Sequence, residues 1–145
     1  MKVFLFSFLA FTGVTSFASQ LPNPVLRLHR DNGSVAPLYQ EKFDCRIYES
    51  GLTLSYTNGN GLRLSQRRDL VLTGVKELLE IALNEPLTDV GPNPPPVGGG
   101  SEDFVAVRTV GAGAPDEFLL STSAQLREGP ASTALIRLLN LLCKF

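Results

Sequence analysis

The chain has 145 residues and nearly balanced charge, 13 Lys and Arg against 14 Asp and Glu, for a formal net charge of −1. The charges are scattered and form no basic stripe, which argues against nucleic acid as a partner, because phosphate binding needs concentrated positive charge. Two cysteines and one histidine are too few ligands for a zinc site.

Met1 to Ala18 has the layout of a secretory signal peptide. Lys2 is a minimal charged start, Val3 to Val14 is almost wholly apolar or small, and Ser16-Phe17-Ala18 is a small-x-small cleavage site. The apolar run falls short of the about 20 residues that span a bilayer, so a cleaved signal is preferred to an anchor. Residues 19–145 are then a single domain of 127 residues, long enough for a core of its own. The expected location is secreted or periplasmic, with no transmembrane segment after signal cleavage.

Val25 to Arg30 (VLRLHR) alternates with period two, the pattern of a half-buried strand. Asp31-Asn32-Gly33 follows as a turn, because Asn and Gly tolerate positive φ. Ser34 to Lys42, with Pro37, reads as a loop or a short edge strand. Phe43 to Tyr48 alternates again, with Phe43, Cys45 and Ile47 on one face. Leu52, Leu54 and Tyr56 share a face of the next strand. Asn58-Gly59-Asn60-Gly61 is a hairpin turn, across which Leu62 to Leu64 can pair back. Arg67-Arg68 reads as a solvated helix start. From Asp69 to Asn84 the period changes, and Val71, Val75, Leu78, Leu79 and Ala82 recur at helical spacing. Gly74 inside that run weakens it by about 1 kcal/mol relative to alanine.

Glu85 to Asp103 breaks the pattern. It holds five of the ten prolines and four glycines, a composition that cannot pack a core and reads as a mobile or polyproline loop. Long loops of this kind are often functional. Asp89, Pro92, Asn93, Pro94, Pro95 and Pro96 are therefore the candidate contact residues. Phe104 to Val110 and Phe118 to Ser123 read as a second strand pair joined by Gly111 to Asp116. Gly129-Pro130 punctuates, and Ser132 or Thr133 can cap a last helix whose stripe is Leu135, Leu138, Leu139 and Leu142.

Cys45 points inward from its strand and Cys143 lies on the core flank of the last helix. In an exported chain two such cysteines are more often paired than free, and a Cys45–Cys143 bond would close a loop of about 98 residues. The expected class is α+β: an antiparallel sheet of five or six strands, two helices on its apolar face, and one disulfide.

Chemistry is sparse. His29 is the only histidine; a triad could draw on His29, Asp31 or Asp44 and a serine, but no serine sits in a nucleophile elbow. Asp44, Glu49, Asp69, Glu77 and Glu80 are carboxylates on polar faces, where solvation is routine. Glu102-Asp103 and Asp116-Glu117 could share a calcium ion if their strands were hairpin neighbours, but neither matches a calcium loop, and edge charge is the better reading. Gly98-Gly99-Gly100 and Gly111-x-Gly113 lack the strand-to-helix context and the lysine of a phosphate cradle. No catalytic residues, metal site or cofactor are expected.

The order of strand hairpin, helix, proline-containing loop, strand hairpin and leucine-rich terminal segment (Leu135, Leu138, Leu139, Leu142) is similar to that of small metalloprotease-inhibitor modules of the emfourin type. The likeness is one of arrangement, carried by no specific motif, and the disulfide is extra. It makes an inhibitor one example of the binding role expected here. The expected function is a small exported non-catalytic protein that binds another protein. The alternatives are an envelope-associated domain that self-assembles through exposed strand edges such as Val25 to Arg30, and, third, a small secreted hydrolase using His29.

Overall fold

The computed structural model describes residues 24–33, 36–90, 100–108 and 115–145. The signal-like segment lies outside them. The fold is α+β, an antiparallel sheet with two helices. The strands are β1 (Leu26–Asp31), β2 (Glu41–Tyr48), β3 (Gly51–Asn58), β4 (Arg63–Asp69), β5 (Leu87–Asp89), β6 (Ser101–Arg108), β7 (Asp116–Ser121) and β8 (Gln125–Arg127). The helices are α1 (Val75–Leu83), after β4, and α2 (Pro130–Leu142), which ends the chain. The sheet order is β4-β3-β2-β1-β6-β7-β8-β5.

Among the described residues eight strands replace the expected five or six, for identifiable reasons. β5 and β8 have three residues each, too few for a period-two signal. They pair with one another, Leu87 opposite Arg127. β4 starts where Leu62 to Leu64 are expected to pair back across the turn, but it reads RLSQRRD, is exposed except at Arg68, and beyond Leu64 lacks the buried alternation that would announce its length. Its pairing with β3 runs from Arg63–Thr57 to Asp69–Gly51. Arg67, Arg68 and Asp69 are therefore strand residues, not a helix start. The helix begins only at Val75, after Gly74 takes a left-handed conformation at φ +77°, which glycine adopts without steric cost. Val71, expected on the helix stripe, is 82% exposed. Proline-bearing 37–39 forms one 3-10 turn, and β2 begins at Glu41.

β1 is central, paired with β2 and β6 on its two sides. This corrects the reading of Val25 to Arg30 as an exposed edge. Its alternation buries Leu26 and Leu28. Register extends that row: Leu28 lies opposite Cys45 and Phe104, and Leu26 opposite Ile47 and Ala106. Leu52 and Leu54 continue it on β3, and Leu120 on β7. Against this face pack Val75, Leu79 and Ala82 of α1, and Ala131, Leu135 and Leu139 of α2. Leu135 and Leu139 are fully buried; truncating either to alanine costs about 2–5 kcal/mol.

Helix α2 is held at both ends. At its C-terminal end Cys143 is bonded to Cys45, with Cα atoms 5.8 Å apart. At its start no side chain within the helix caps the backbone. Ser132, expected as a cap, is instead buried inside the helix. The cap comes from across the fold: the Glu85 carboxylate accepts from Ala131 N at 2.9 Å and Ser132 N at 2.8 Å. A carboxylate there satisfies orphan N–H groups and complements the helix dipole. Burial works to raise the Glu85 pKa, but its contacts with Ser132 and Ala131 and the nearby Arg127 charge outweigh that and lower it. Arg127 donates to the backbone oxygens of Leu83 (3.2 Å), Glu85 (2.7 Å) and Leu119 (3.0 Å), tying the end of α1 to β7. Gly129 leaves room for the cap: a Cβ there would come within 2.0 Å of the Glu85 carboxyl carbon.

Thiol labelling of the unfolded, unreduced protein finds no free thiol. Reduction destabilises the domain by up to about 4.7 kcal/mol, the chain-entropy figure for a loop near 100 residues, read as a fall in the denaturant midpoint.

For the Glu85 cap, Glu85→Gln costs about 1–2 kcal/mol at neutral pH. Gly129→Ala costs a similar amount, and the double variant costs little more than either, because all three lose one cap. Because the folded pKa is lowered, the stabilisation is fully present above the unfolded value and is lost as pH falls through the folded one. Urea melts from pH 7 to pH 3 therefore show a shallower acid loss for Glu85→Gln than for wild type.

Candidate functional site

The helices leave part of the sheet's inner face open, where β1 ends and β6 begins. Register places Leu64, Tyr56, Phe43, Arg30 and Glu102 in one row across five strands. Phe145, just beyond α2, sits edge-on to Phe43 (5.8 Å between centroids) and to Tyr56 (6.5 Å). Arg30 spans the row: its Nε donates to Glu102, its Nη2 to Asn140 Oδ1 of α2 at 3.2 Å, and its guanidinium lies 5.8 Å from the centre of the Phe43 ring.

Beside this row is a cleft of about 660 Å³, within the range of sites that take small ligands or side chains. Phe43, Tyr56, Phe104 and Leu126 supply its apolar lining, and Ser101, Ser121, Thr122 and Ser123 bring hydroxyl groups to it. Charge of both signs lines it, from Arg30 and Lys42 and from Asp31, Glu41 and Glu102. Desolvation, and then the hydrogen bond and charge of Glu41, raise the Tyr56 pKa, so its phenol stays a neutral hydrogen-bonding group at ordinary pH.

Of the candidate contact residues, Asp89 is on β5, where its Oδ1 accepts from Gln125 Nε2 at 3.1 Å. Pro92, Asn93, Pro94, Pro95 and Pro96 lie outside the described residues. The residues that bracket 91–99, Val90 and Gly100, both line the cleft. Cys45 and Cys143 are joined as expected. The cleft itself is not legible in the sequence, since its lining comes from strands far apart in the chain.

The opposite face of the sheet carries His29. Register sets Ser65, Ser55, Asp44, His29 and Asp103 in one row. His29 Nδ1 is 3.9 Å from Asp44 Oδ1 and is buried without a hydrogen-bond partner. A relay needs the histidine between nucleophile and carboxylate. Here Asp44 stands between, and His29 is two strands, roughly 10 Å, from Ser55. Asp44 is also held by Arg27 (2.9 Å) and Arg46 (2.7 Å), and its hydrogen bond raises the Arg46 pKa.

Three of the other four candidate carboxylates pair with cations, and Glu77 is an exposed residue in the first turn of α1. Glu49 pairs with Lys76 at 2.6 Å, Asp69 with Arg67 at 3.9 Å, and Glu80 with Arg108 at 3.7 Å. Glu102 and Asp116 lie at opposite ends of the β6–β7 hairpin, since Asp116 is opposite Arg108, so the two acidic pairs share no calcium site. Among the described residues no group of three or more His, Cys, Asp or Glu is arranged to hold a metal ion, and no helix is long and apolar enough to cross a membrane. No family model, curated protein or solved structure matches the chain.

Truncating Phe145 tests how the cleft wall is held. Phe145→Ala loses two edge-to-face contacts, each worth about 0.5–1.5 kcal/mol. Chemical denaturation should register a loss of that order, with the disulfide intact by mass.

Proposed function

We propose that this protein is a small exported, non-catalytic binding module that holds a segment of another protein in the cleft beside the C-terminal end of α2. The observation that carries the reading is the cleft: an apolar, aromatic lining with hydroxyl groups beside it, next to a helix end fixed by a disulfide. Such a surface offers apolar contact area together with a few polar groups that orient a guest. The helix end beside it is covalently tied to β2, which limits the ordering cost of binding. The carboxylates paired with cations, and a histidine whose row across the sheet sets Asp44 between it and Ser55, support a non-catalytic role. The disulfide is at home outside the cytosol, and the reading is of a secreted or periplasmic protein. The arrangement-level likeness to metalloprotease-inhibitor modules makes a protease the first partner class to try, with inhibition as the consequence of capture.

The test is affinity capture from culture medium and envelope extract of the source, using oxidised protein and a Ser123→Arg variant that crowds the cleft. The expected result is one stoichiometric protein, retained by wild type and reduced at least about tenfold by Ser123→Arg, a 1.4 kcal/mol loss, with an unchanged melting curve, since Ser123 is exposed. Deleting 92–100 tests whether the candidate contact residues add to it. Equal capture by wild type and Ser123→Arg would remove the cleft from the function.

A further inference from the structure

The sheet has two ends, and they are guarded differently. β5 is short, with three residues. β4 has seven, runs without a bulge, and among the described residues pairs only with β3. A strand that long with one free side offers a row of unpaired backbone groups to another strand. Its only guard is charge, and the pattern of that charge is selective.

We propose that β4 is a homodimer interface, pairing antiparallel with β4 of a second copy about a two-fold axis at Gln66. An axis perpendicular to the sheet keeps both helix layers on the same side and allows only registers that join residues of the same face. With Gln66 opposite Gln66 of the second copy, all seven residues of β4 find a partner. Arg63 lies opposite Asp69, Leu64 opposite Arg68, and Ser65 opposite Arg67. Every charged residue then faces an opposite charge, a hydroxyl or an aliphatic chain. Moving the axis to Ser65 sets Arg63 against Arg67, and moving it to Arg67 sets Arg67 against itself. Both registers are shorter, and both place like charges directly opposite, which destabilises a strand pair.

Leu64 is 45% exposed; in the dimer the aliphatic stem of the second copy's Arg68 covers it. The Arg68 head already donates to Gln66 Oε1 at 2.9 Å and to the Lys144 backbone oxygen, so that stem is held in place. Asp69 is open to a new partner, since its link to Arg67 is a 3.9 Å contact between exposed groups. The partner is a second copy because the complement of β4 is its own sequence reversed. This interface uses none of the cleft's Ser101 to Ser123 side and stands whether or not the cleft binds a protein.

Sedimentation of the oxidised protein, expressed from the full chain, over a wide concentration range is the test. Wild type shows a reversible monomer–dimer equilibrium. Arg63→Asp and Asp69→Arg each weaken dimerisation by about tenfold or more, since each sets like charges at both ends of the ladder, while the Arg63→Asp/Asp69→Arg double variant recovers it. Both positions are exposed, so melting curves stay near wild type. In Gln66→Cys, oxidation yields a covalent dimer through residue 66, identified by peptide mapping. A wild type that stays monomeric throughout, or a dimer indifferent to both single variants, or a double variant that fails to recover, overturns the proposal.

Discussion

Everything distinctive about this fold depends on holding α2 against the sheet. The helix supplies Leu135 and Leu139 to the core, but hydrophobic contact is non-directional and leaves a short helix free to slide or tilt. Two directional contacts remove that freedom. The Glu85 carboxylate fixes where the first turn begins. The Cys45–Cys143 bond fixes where the last turn meets β2. The disulfide joins the end of the chain to a central strand, so the loop it closes contains most of the sheet.

The cleft is a consequence of that placement. With Cys143 locked over β2, Phe145 falls onto Phe43 and Tyr56, and Asn140 falls within reach of Arg30. The helix end thus braces lining residues of the cleft, Arg30, Phe43 and Tyr56, from positions more than a hundred residues away from Arg30 in sequence. Binding surfaces formed on such elements are already ordered before a guest arrives, which lowers the entropic cost of capture. The other side of the sheet is organised differently. Asp44, between Arg27 and Arg46, draws its neighbours into an ion-pair cluster of modest value.

The two proposed surfaces use different physics. The cleft offers apolar area and shape on the helix-covered face. The β4 edge offers main-chain hydrogen bonds in a register chosen by charge. A dimer joined there would present two clefts on one side of a continuous sheet, so a partner with repeated segments would gain from simultaneous engagement.

Much of the architecture was written in local patterns. Alternation in VLRLHR and FDCRIY marks β1 and β2, because period two is the geometry of a half-buried strand. The leucine spacing of the last fifteen residues marks α2 and places Cys143 on its core side, from which the pairing with Cys45 follows. Only the tertiary structure decided the rest. Beyond the expected pairing at Leu64, β4, polar and exposed, runs on to Asp69 because β3 offers it a ladder, not because its residues prefer one. β5 and β8 are too short to declare themselves alone, and each exists through the other. The α2 cap comes from Glu85, 46 residues from Ala131, where no local motif could reveal it. The cleft belongs to the same class: its lining residues come from strands brought side by side by register, and register is set by the burial of a whole face, which no single segment of the sequence contains.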